Sequence, residues 1–375
     1  MKVLIAVTHL LGTGHLSRAL TLGRAFVAEG HEVSVLSGGL PAPQLDFGGV
    51  RLIQMPPIAS DGTNFTRLLN ADGVEVDEAY REKRKASAVD ALQEVQPDVL
   101  IVELFPFGRR SLADEFLALL KAAAQAQPRP RVYCSIRDIL APPSKPSKAT
   151  RAEEILKEHF DGVLVHSDPK VTTLSDSWPV TPNLENLLKY TGYVAPSAPE
   201  PHPANEGQGE VLVSAGGGSV GQALFECAVE AARQSDRPWR LLVGGKDRED
   251  RISALRERAG DLDITIEGVR PDFRKMLHGA ACSVSMCGYN TTMDLLQTGV
   301  PAVLVPFDDG GEVEQTLRAN SLAHQPAMKV LTSAEATPER MAELVEKVIA
   351  VGRRDAGGLQ MNGATKAVEI VAGQA

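Results

Sequence analysis

The stretch "KVLIAVTHLLGTGHLSRAL" (residues 2–20) passes from an apolar run, through a turn punctuated by Gly12 and Gly14, into a helical pattern. A strand apolar along its whole length is buried on both faces, and a helix that follows at once covers one of them. The same alternation continues outward. Strand patterns at 2–8, 32–37, 98–103, 131–136 and 162–166 are separated by helical patterns at Leu16–Glu29, Asp77–Val95 and Ser111–Gln125. The stretch "VAPSAPEPHPANEGQGE" (194–210) is rich in Pro and Gly, has no periodicity and reads as a linker. The alternation then restarts at 210–214, 239–244, 263–268, 281–286 and 301–306. The expectation is α/β: two Rossmann-like, doubly wound domains over 1–195 and 210–375, joined by a linker over 196–209. The last helix is a candidate to pack back on the N-terminal domain. Ligands of open α/β sheets lie beyond the carboxyl ends of the strands, so the two domains are expected to face each other across a cleft.

Bulk properties narrow the function. At 375 residues the chain exceeds the size of one core, and 43% hydrophobic residues suffice for two. A net charge of −9 argues against a nucleic-acid partner, which needs a concentrated basic surface. The one basic cluster, "REKRK" (Arg81–Lys85), falls in a helical pattern and reads as a solvated face. Cys134, Cys227, Cys282 and Cys287 fit neither a disulfide framework nor a zinc pattern, so no metal is expected and a reducing cytosol fits. "VLIAV" is too short for a signal sequence, and no run approaches the ~20 apolar residues of a membrane span. A cytoplasmic protein is expected, with work at the inner face of a membrane still compatible.

Three loops that follow strands carry the chemistry. In the first, Gly12, Thr13, Gly14 and His15 open a helix, but the full GxGxxG is missing and no acidic residue closes the next strand, which disfavours NAD and leaves no cofactor expected. In the second, "SAGGGSVGQAL" (214–224), Gly216, Gly217 and Gly218 bare their backbone N–H groups at a helix start, an anion or diphosphate site; a tight turn without a ligand is the competing reading. No Gly-Lys-Ser/Thr follows, so it is not a P-loop. The third runs from 286 to 320. There Gly288 breaks a strand, Asn290 or Thr291 caps the next helix, Asp294 falls in its first turns, and Glu314 and Gln315 begin another. Acidic and amide oxygens beside a diphosphate loop suit the hydroxyls of a ribose and a sugar.

The pattern "CGYNTTMDLLQTGVPAVLVPF…EVEQTLRA" (287–319) resembles the donor-binding signature of GT-B glycosyltransferases, and of family 28 in particular. "GTGHLSRAL" (12–20), "ELFPFGRR" (103–110), "SIRDIL" (135–140) and "HSDP" (166–169) are similar to a bacterial group of predicted glycosyltransferases related to that family. The resemblance implies inverting, metal-independent transfer of a sugar from a nucleotide-diphosphate sugar, a UDP-sugar first of all, to a sugar, lipid-linked or small-molecule acceptor. Gly216–Ser219 would contact the diphosphate, and Gly288, Tyr289, Asn290 and Thr291 would line the donor site. Asp294 would hold the ribose, with a side chain one methylene shorter than the family's usual Glu. Glu314 and Gln315 would contact the donor sugar. The backbone of "EGVRPDFRKML" (267–277), with Val269 and Arg270, would read the base. Arg270 or Lys246 would add positive charge at the diphosphate, a surface position being the other reading of each.

His15 is the candidate general base, since an imidazole titrates near pH ~6.5 and a helix N-terminus favours its neutral form. Glu103, at the end of the strand "DVLIVE", would orient the ring and stabilise the imidazolium. Glu103 as the base itself, His15 as a contact to acceptor or donor phosphate, and His15 as plain packing stand beside that reading. Gly12, Thr13, Gly14, Phe105, Arg137, Asp138 and His166 are placed on the acceptor side, with a buried strand-to-helix corner the other reading of "FPFGRR". "DGTNFTRLLN" (61–70) reads as an acceptor loop. A nucleotide-sugar hydrolase that activates water with the same His15 turn, and a non-catalytic sugar-nucleotide-binding protein, are the alternative functions.

Overall fold

A computed structural model of the protein describes residues 1–60, 67–309 and 312–373. It forms two compact units, Met1–Pro196 with Gln360–Ala375, and Ser197–Leu359. Most of the expected acceptor loop, residues 61–66, lies outside the described residues.

The first unit runs β1 (Lys2–Val7), α1 (Gly14–Ala28), β2 (Glu32–Ser37), β3 (Arg51–Gln54), the short antiparallel pair β4 (Ala59–Ser60) and β5 (Leu68–Leu69), α2 (Glu78–Val95), β6 (Val99–Glu103), α3 (Ala113–Gln125), β7 (Arg131–Arg137), α4 (Pro146–His159), β8 (Gly162–His166), α5 (Pro182–Glu185) and β9 (Leu188–Tyr190). Seven strands pair in parallel in the order β3-β2-β1-β6-β7-β8-β9. Side chains alternate along a strand, so β1 feeds two cores: Leu4 and Ala6 pack with α2 and α3, and Val3, Ile5 and Val7 pack with α1. The edge strands β3 and β9 are short and half-exposed, without the continuous apolar run that marks the other five.

Arg84 departs from the solvated face expected of "REKRK". It is fully buried, forks onto Glu115 of α3 with two 2.8 Å bonds, and donates to Gly38 O at 2.9 Å. It thereby ties α2 to α3 and to the turn after β2.

The second unit runs β10 (Val211–Ser214), α6 (Gln222–Ala232), β11 (Trp239–Val243), α7 (Arg248–Ala259), β12 (Ile264–Gly268), α8 (Phe273–Met276), β13 (Cys282–Ser285), α9 (Tyr289–Thr298), β14 (Ala302–Leu304), α10 (Glu314–Leu322), β15 (Met328–Val330) and α11 (Pro338–Val351). Its six parallel strands lie in the order β12-β11-β10-β13-β14-β15. The Pro/Gly-rich segment expected as a loose linker is instead strapped to this unit. Ser197 O accepts from Arg274, Pro199 O accepts from His278 Nε2, and His202 Nε2 donates to Asp272 at 3.0 Å. Gly207 crosses so close to Met276 that a Cβ there would sit 2.8 Å from its carbonyl oxygen.

After Leu359 the chain returns to the first unit. Gln360 N donates to Asp168 Oδ2 (3.0 Å), Tyr193 N donates to Gln360 O (2.7 Å), and α12 (Gly363–Ala372) lays Ala367, Val368 and Val371 against the α1 side of the sheet. The second compact unit therefore ends at Leu359, short of the boundary at 375 read from the alternation.

Candidate functional site

In the first unit, three neighbouring parallel strands end together: β1 runs on into the turn before α1, β6 ends in Glu103 and β7 ends in Arg137. Gly12 makes that turn with a left-handed φ of 57°, and α1 begins without any side-chain cap. His15 Nδ1 lies 2.8 Å from Glu103 Oε1, and Arg18 Nη2 donates to the same oxygen. Glu103 is 1% exposed, and its Oε2 is buried without a hydrogen-bond partner among the described residues. An ionised carboxylate only accepts, so Nδ1 carries the ring proton and Nε2 is left with its lone pair. Nε2 has no partner among the described residues, and 14% of the His15 side chain stays exposed.

The charges follow from this setting. Burial lowers the His15 pKa to about 4, outweighing the upward pull of Glu103. Burial works the other way on Glu103, yet the nearby charges of His15 and Arg18 hold its carboxyl well below the usual range. Near neutral pH the pair is a carboxylate and a neutral imidazole, and an imidazolium formed on the ring meets a full negative charge 2.8 Å away. Arg109 adds a second guanidinium to this field. It sits in left-handed backbone (φ 58°), as does Leu104 (φ 67°), and donates from Nε to Thr8 O at 2.7 Å. Two non-glycine residues in that region within one loop cost of order 1–3 kcal/mol each, strain of the kind that clusters at functional sites.

Other residues expected on the acceptor side are placed differently. Phe105 is 1% exposed and stacked on Phe116, with centroids 5.1 Å apart, and Phe107 meets Trp178 edge-on; "FPFGRR" is a corner with buried rings, its Arg110 exposed. His166 is fully buried, with both ring nitrogens engaged. The Thr191 hydroxyl donates to Gly192 O, so His166 Nδ1 donates to Thr191 Oγ1 (2.9 Å) and Ser135 Oγ donates to Nε2 (2.8 Å). Burial lowers its pKa to about 3, so it is a neutral clamp across β7, β8 and the end of β9, closed to an acceptor. Asp138 is also buried, whereas Arg137, Gly12, Thr13 and Gly14 retain exposure. Arg18 was absent from the sequence reading; its signal was the i, i+3 spacing from His15, which places both on one face of α1.

In the second unit the post-strand loops are built from backbone. Gly216 and Gly221 are left-handed (φ 80° and 83°), and a Cβ at Gly216 or Gly217 would meet nothing within 4 Å, so the loop before α6 lies open. The loop after β11 closes on it from behind. Gly245 N donates to Gly217 O (3.2 Å), Lys246 N donates to Ser219 Oγ (3.3 Å), and a Cβ on Gly244 would sit 2.3 Å from Gly216 O. The Gly216 N–H, expected bare, is instead spent on Ser214 Oγ (3.2 Å); those of Gly217 and Gly218 have no partner among the described residues, and such N–H groups ahead of a helix favour an anion.

Asp294, Glu314 and Arg270, the charged residues expected at the donor, are already paired. Asp294 Oδ1 accepts from Arg274 Nε at 2.5 Å, and burial raises its pKa despite that partner. Glu314 accepts from Arg318 Nη2 at 3.0 Å; Arg318 is fully buried, donates also to Cys287 O, and lies over the buried Tyr289 ring (5.8 Å). Gln315 Oε1 accepts from Cys287 N (2.9 Å) and Phe307 N (3.1 Å), stitching together the loops after β13 and β14. Helix α9 is capped by Gly288 with no side-chain bond, so Asn290 and Thr291 lie in its first turn instead of capping it. Arg270 does not reach toward a phosphate: Nε and Nη2 donate to Asp272 (2.9 and 2.7 Å), and Nη1 donates to Glu206. The Val269 N–H is spent on Val243 O (3.0 Å). Arg318, four residues after Glu314, was the other site residue missing from the sequence reading.

Two doubly wound parallel units, one returning its last helix to the first, define the GT-B class of fold. Solved structures agree over the whole chain: MurG of Acinetobacter baumannii (TM-score 0.66, 18% identity, 100% of both chains) and Os79 of O. sativa in complex with UDP (TM-score 0.65, 15% identity, 99% of this chain and 100% of that one). At these identities the likeness establishes the fold. Residues 212–370 match the glycosyltransferase family 28 C-terminal domain, which bears out the resemblance read from residues 287–319. A 137-residue segment is 32% identical to the UDP-N-acetylglucosamine–N-acetylmuramyl-(pentapeptide) pyrophosphoryl-undecaprenol N-acetylglucosamine transferase of Brucella anthropi, covering 35% of this chain and 36% of the relative. The match thus spans about a third of the length of the curated relatives. No helix among the described residues is long and apolar enough to cross a membrane.

Proposed function

We propose that the protein is a glycosyltransferase that moves a sugar from a nucleoside-diphosphate sugar, a UDP-sugar first of all, to a hydroxyl acceptor with inversion. The observation that carries the reading is the His15–Glu103 pair, a neutral imidazole held by a buried carboxylate with Nε2 left without a partner among the described residues. In this mechanism Nε2 takes the acceptor hydroxyl's proton as its oxygen attacks the anomeric carbon, opposite the departing diphosphate. Glu103 stabilises the imidazolium, and Arg18 keeps Glu103 ionised.

The donor would lie on the second unit, its diphosphate at Gly216–Ser219, its ribose at Asp294 and its sugar at Glu314 and Gln315. The family match over residues 212–370 and the open Gly216–Gly217 loop support this assignment. Asp294 has Oδ1 committed to Arg274, which leaves Oδ2 for a ribose hydroxyl. The acceptor is a sugar, lipid-linked or small-molecule hydroxyl, and a lipid-linked one would bring the protein to the inner face of a membrane.

The test is a melting-temperature screen with UDP-, dTDP-, GDP- and ADP-sugars, followed by incubation of the stabilising donor with and without acceptors. A donor at 100 times its Kd stabilises by about 2.7 kcal/mol, a readily visible shift. Sugar transfer that needs an acceptor supports the reading. Fast stoichiometric release of free sugar from the donor alone overturns it in favour of a hydrolase.

A further inference from the structure

Arg251, on α7, is nine-tenths buried beneath the two glycine loops of the second unit, and each hydrogen bond it makes among the described residues ends on a neutral oxygen. Nη2 donates to Val220 O (2.9 Å), Nη1 to Gly244 O (2.9 Å) and Nε to Gln222 Oε1 (3.0 Å), while the guanidinium lies 5.6 Å from the Phe225 ring centroid. No carboxylate among the described residues stands within ion-pair distance. The acid whose titration responds to it is Asp247, which is exposed, so its charge is shared with solvent. The other buried arginines differ: Arg84 has Glu115, Arg318 has Glu314, and Arg18 has Glu103.

A buried cation without a counter-ion is expensive, and a protein keeps one where an anion repays the cost. Carbonyl oxygens and an amide satisfy the geometry of Arg251 but leave its charge whole. That charge lies behind the loop in which the Gly217 and Gly218 N–H groups have no hydrogen-bond partner among the described residues, the Gly216 N–H being spent on Ser214 Oγ (3.2 Å), with the 244–247 loop closing the layer between. We propose that Arg251 is the positioning residue of the donor site: it pins the two loops together and supplies the positive potential that makes their open face a diphosphate site. It acts through the loops, without touching the ligand. The proposal rests on the reading that this unit binds a nucleoside diphosphate, and it names the charge that this reading lacks once Arg270 is tied to Asp272 and Glu206.

The test measures, by calorimetry on the full chain, the affinities of UDP, dTDP, GDP and ADP and of their nucleosides for the wild type, Arg251→Lys and Arg251→Gln. The pair with the tightest diphosphate is then followed. Arg251→Gln is expected to lose about tenfold or more in diphosphate affinity, about 1.4 kcal/mol, with nucleoside affinity changed by less than about twofold. Arg251→Lys, which keeps the charge, is expected to retain most of the diphosphate preference, and salt is expected to weaken diphosphate binding less in the Gln variant than in the wild type. Should Arg251→Gln fail to fold, Gln222→Glu carries the test, because it sets a carboxylate on Arg251 Nε and cancels the charge with the arginine in place. Lys and Gln variants that lose the preference equally, or a Gln or Gln222→Glu variant that keeps it, overturn the proposal. A wild type that binds none of the four diphosphates overturns the reading beneath it instead.

Discussion

The two units carry their candidate sites at the same place, the carboxyl ends of parallel strands, and build them from opposite materials. The first gathers charge: Glu103 is buried between His15 and Arg18 with one oxygen left without a partner among the described residues. The second gathers backbone: its open loop is glycine, and its acids Asp294 and Glu314 already hold arginines. A site made of coupled charges is tuned by pKa and is sensitive to pH. A site made of backbone is tuned by shape and is sensitive to a methyl group.

The largest effect expected from this contrast is on catalysis. His15→Ala should lower kcat/KM on the order of 10³-fold while the donor-induced rise in melting temperature persists; loss of both together would mean that the donor also depends on the first unit's charges. Arg84→Met comes next, because it leaves Glu115 buried and alone at a cost of about 3–5 kcal/mol in urea unfolding, and adding Glu115→Leu should recover much of it. The pH dependence of stability follows. His15 and His166 have pKa values near 4 and 3 when folded, against an ordinary 6.5, so the unfolded chain binds more protons below 6.5. Stability should therefore be full above about pH 6.5 and fall progressively as the pH drops toward 4, and a flat profile in denaturant titrations would break the electrostatic half of the comparison. Gly217→Ala should have the smallest effect on stability, within about 0.5 kcal/mol, since its new Cβ meets nothing within 4 Å, yet it should weaken the donor by filling the open face. Gly244→Ala, aimed at Gly216 O from behind, should cost stability and donor affinity together.

Much of this is legible in the chain because parallel strands buried on both faces announce themselves as apolar runs; nine strands stand out that way, and the half-exposed edge strand β12 stands out by the alternation of Ile264 and Ile266. The edge strands β3, β9 and β15 are short and partly wet, so no run marks them. Glu103 and His15 could be paired from sequence because both follow strands that a doubly wound sheet sets side by side. Arg18, Arg251 and Arg318 could not, because an arginine on a helix looks solvated until its partner across the fold is known. The strap 197–209 misled for a related reason: proline and glycine make it aperiodic, but its carbonyls and His202 still find partners on the second unit.

The return of the chain at Gln360 also sets the order in which the protein is completed as it is made. The second unit is one uninterrupted stretch, Ser197–Leu359, and can close its core as soon as that stretch has left the ribosome. The first unit, although most of it is synthesised earlier, has its packing completed only by Gln360 and α12: Ala367, Val368 and Val371 finish the face that α1 begins, and Gln360 N donates to Asp168. A chain ending between Leu359 and Gly363 would thus hold a finished second unit together with a first-unit sheet that lacks α12 on one flank.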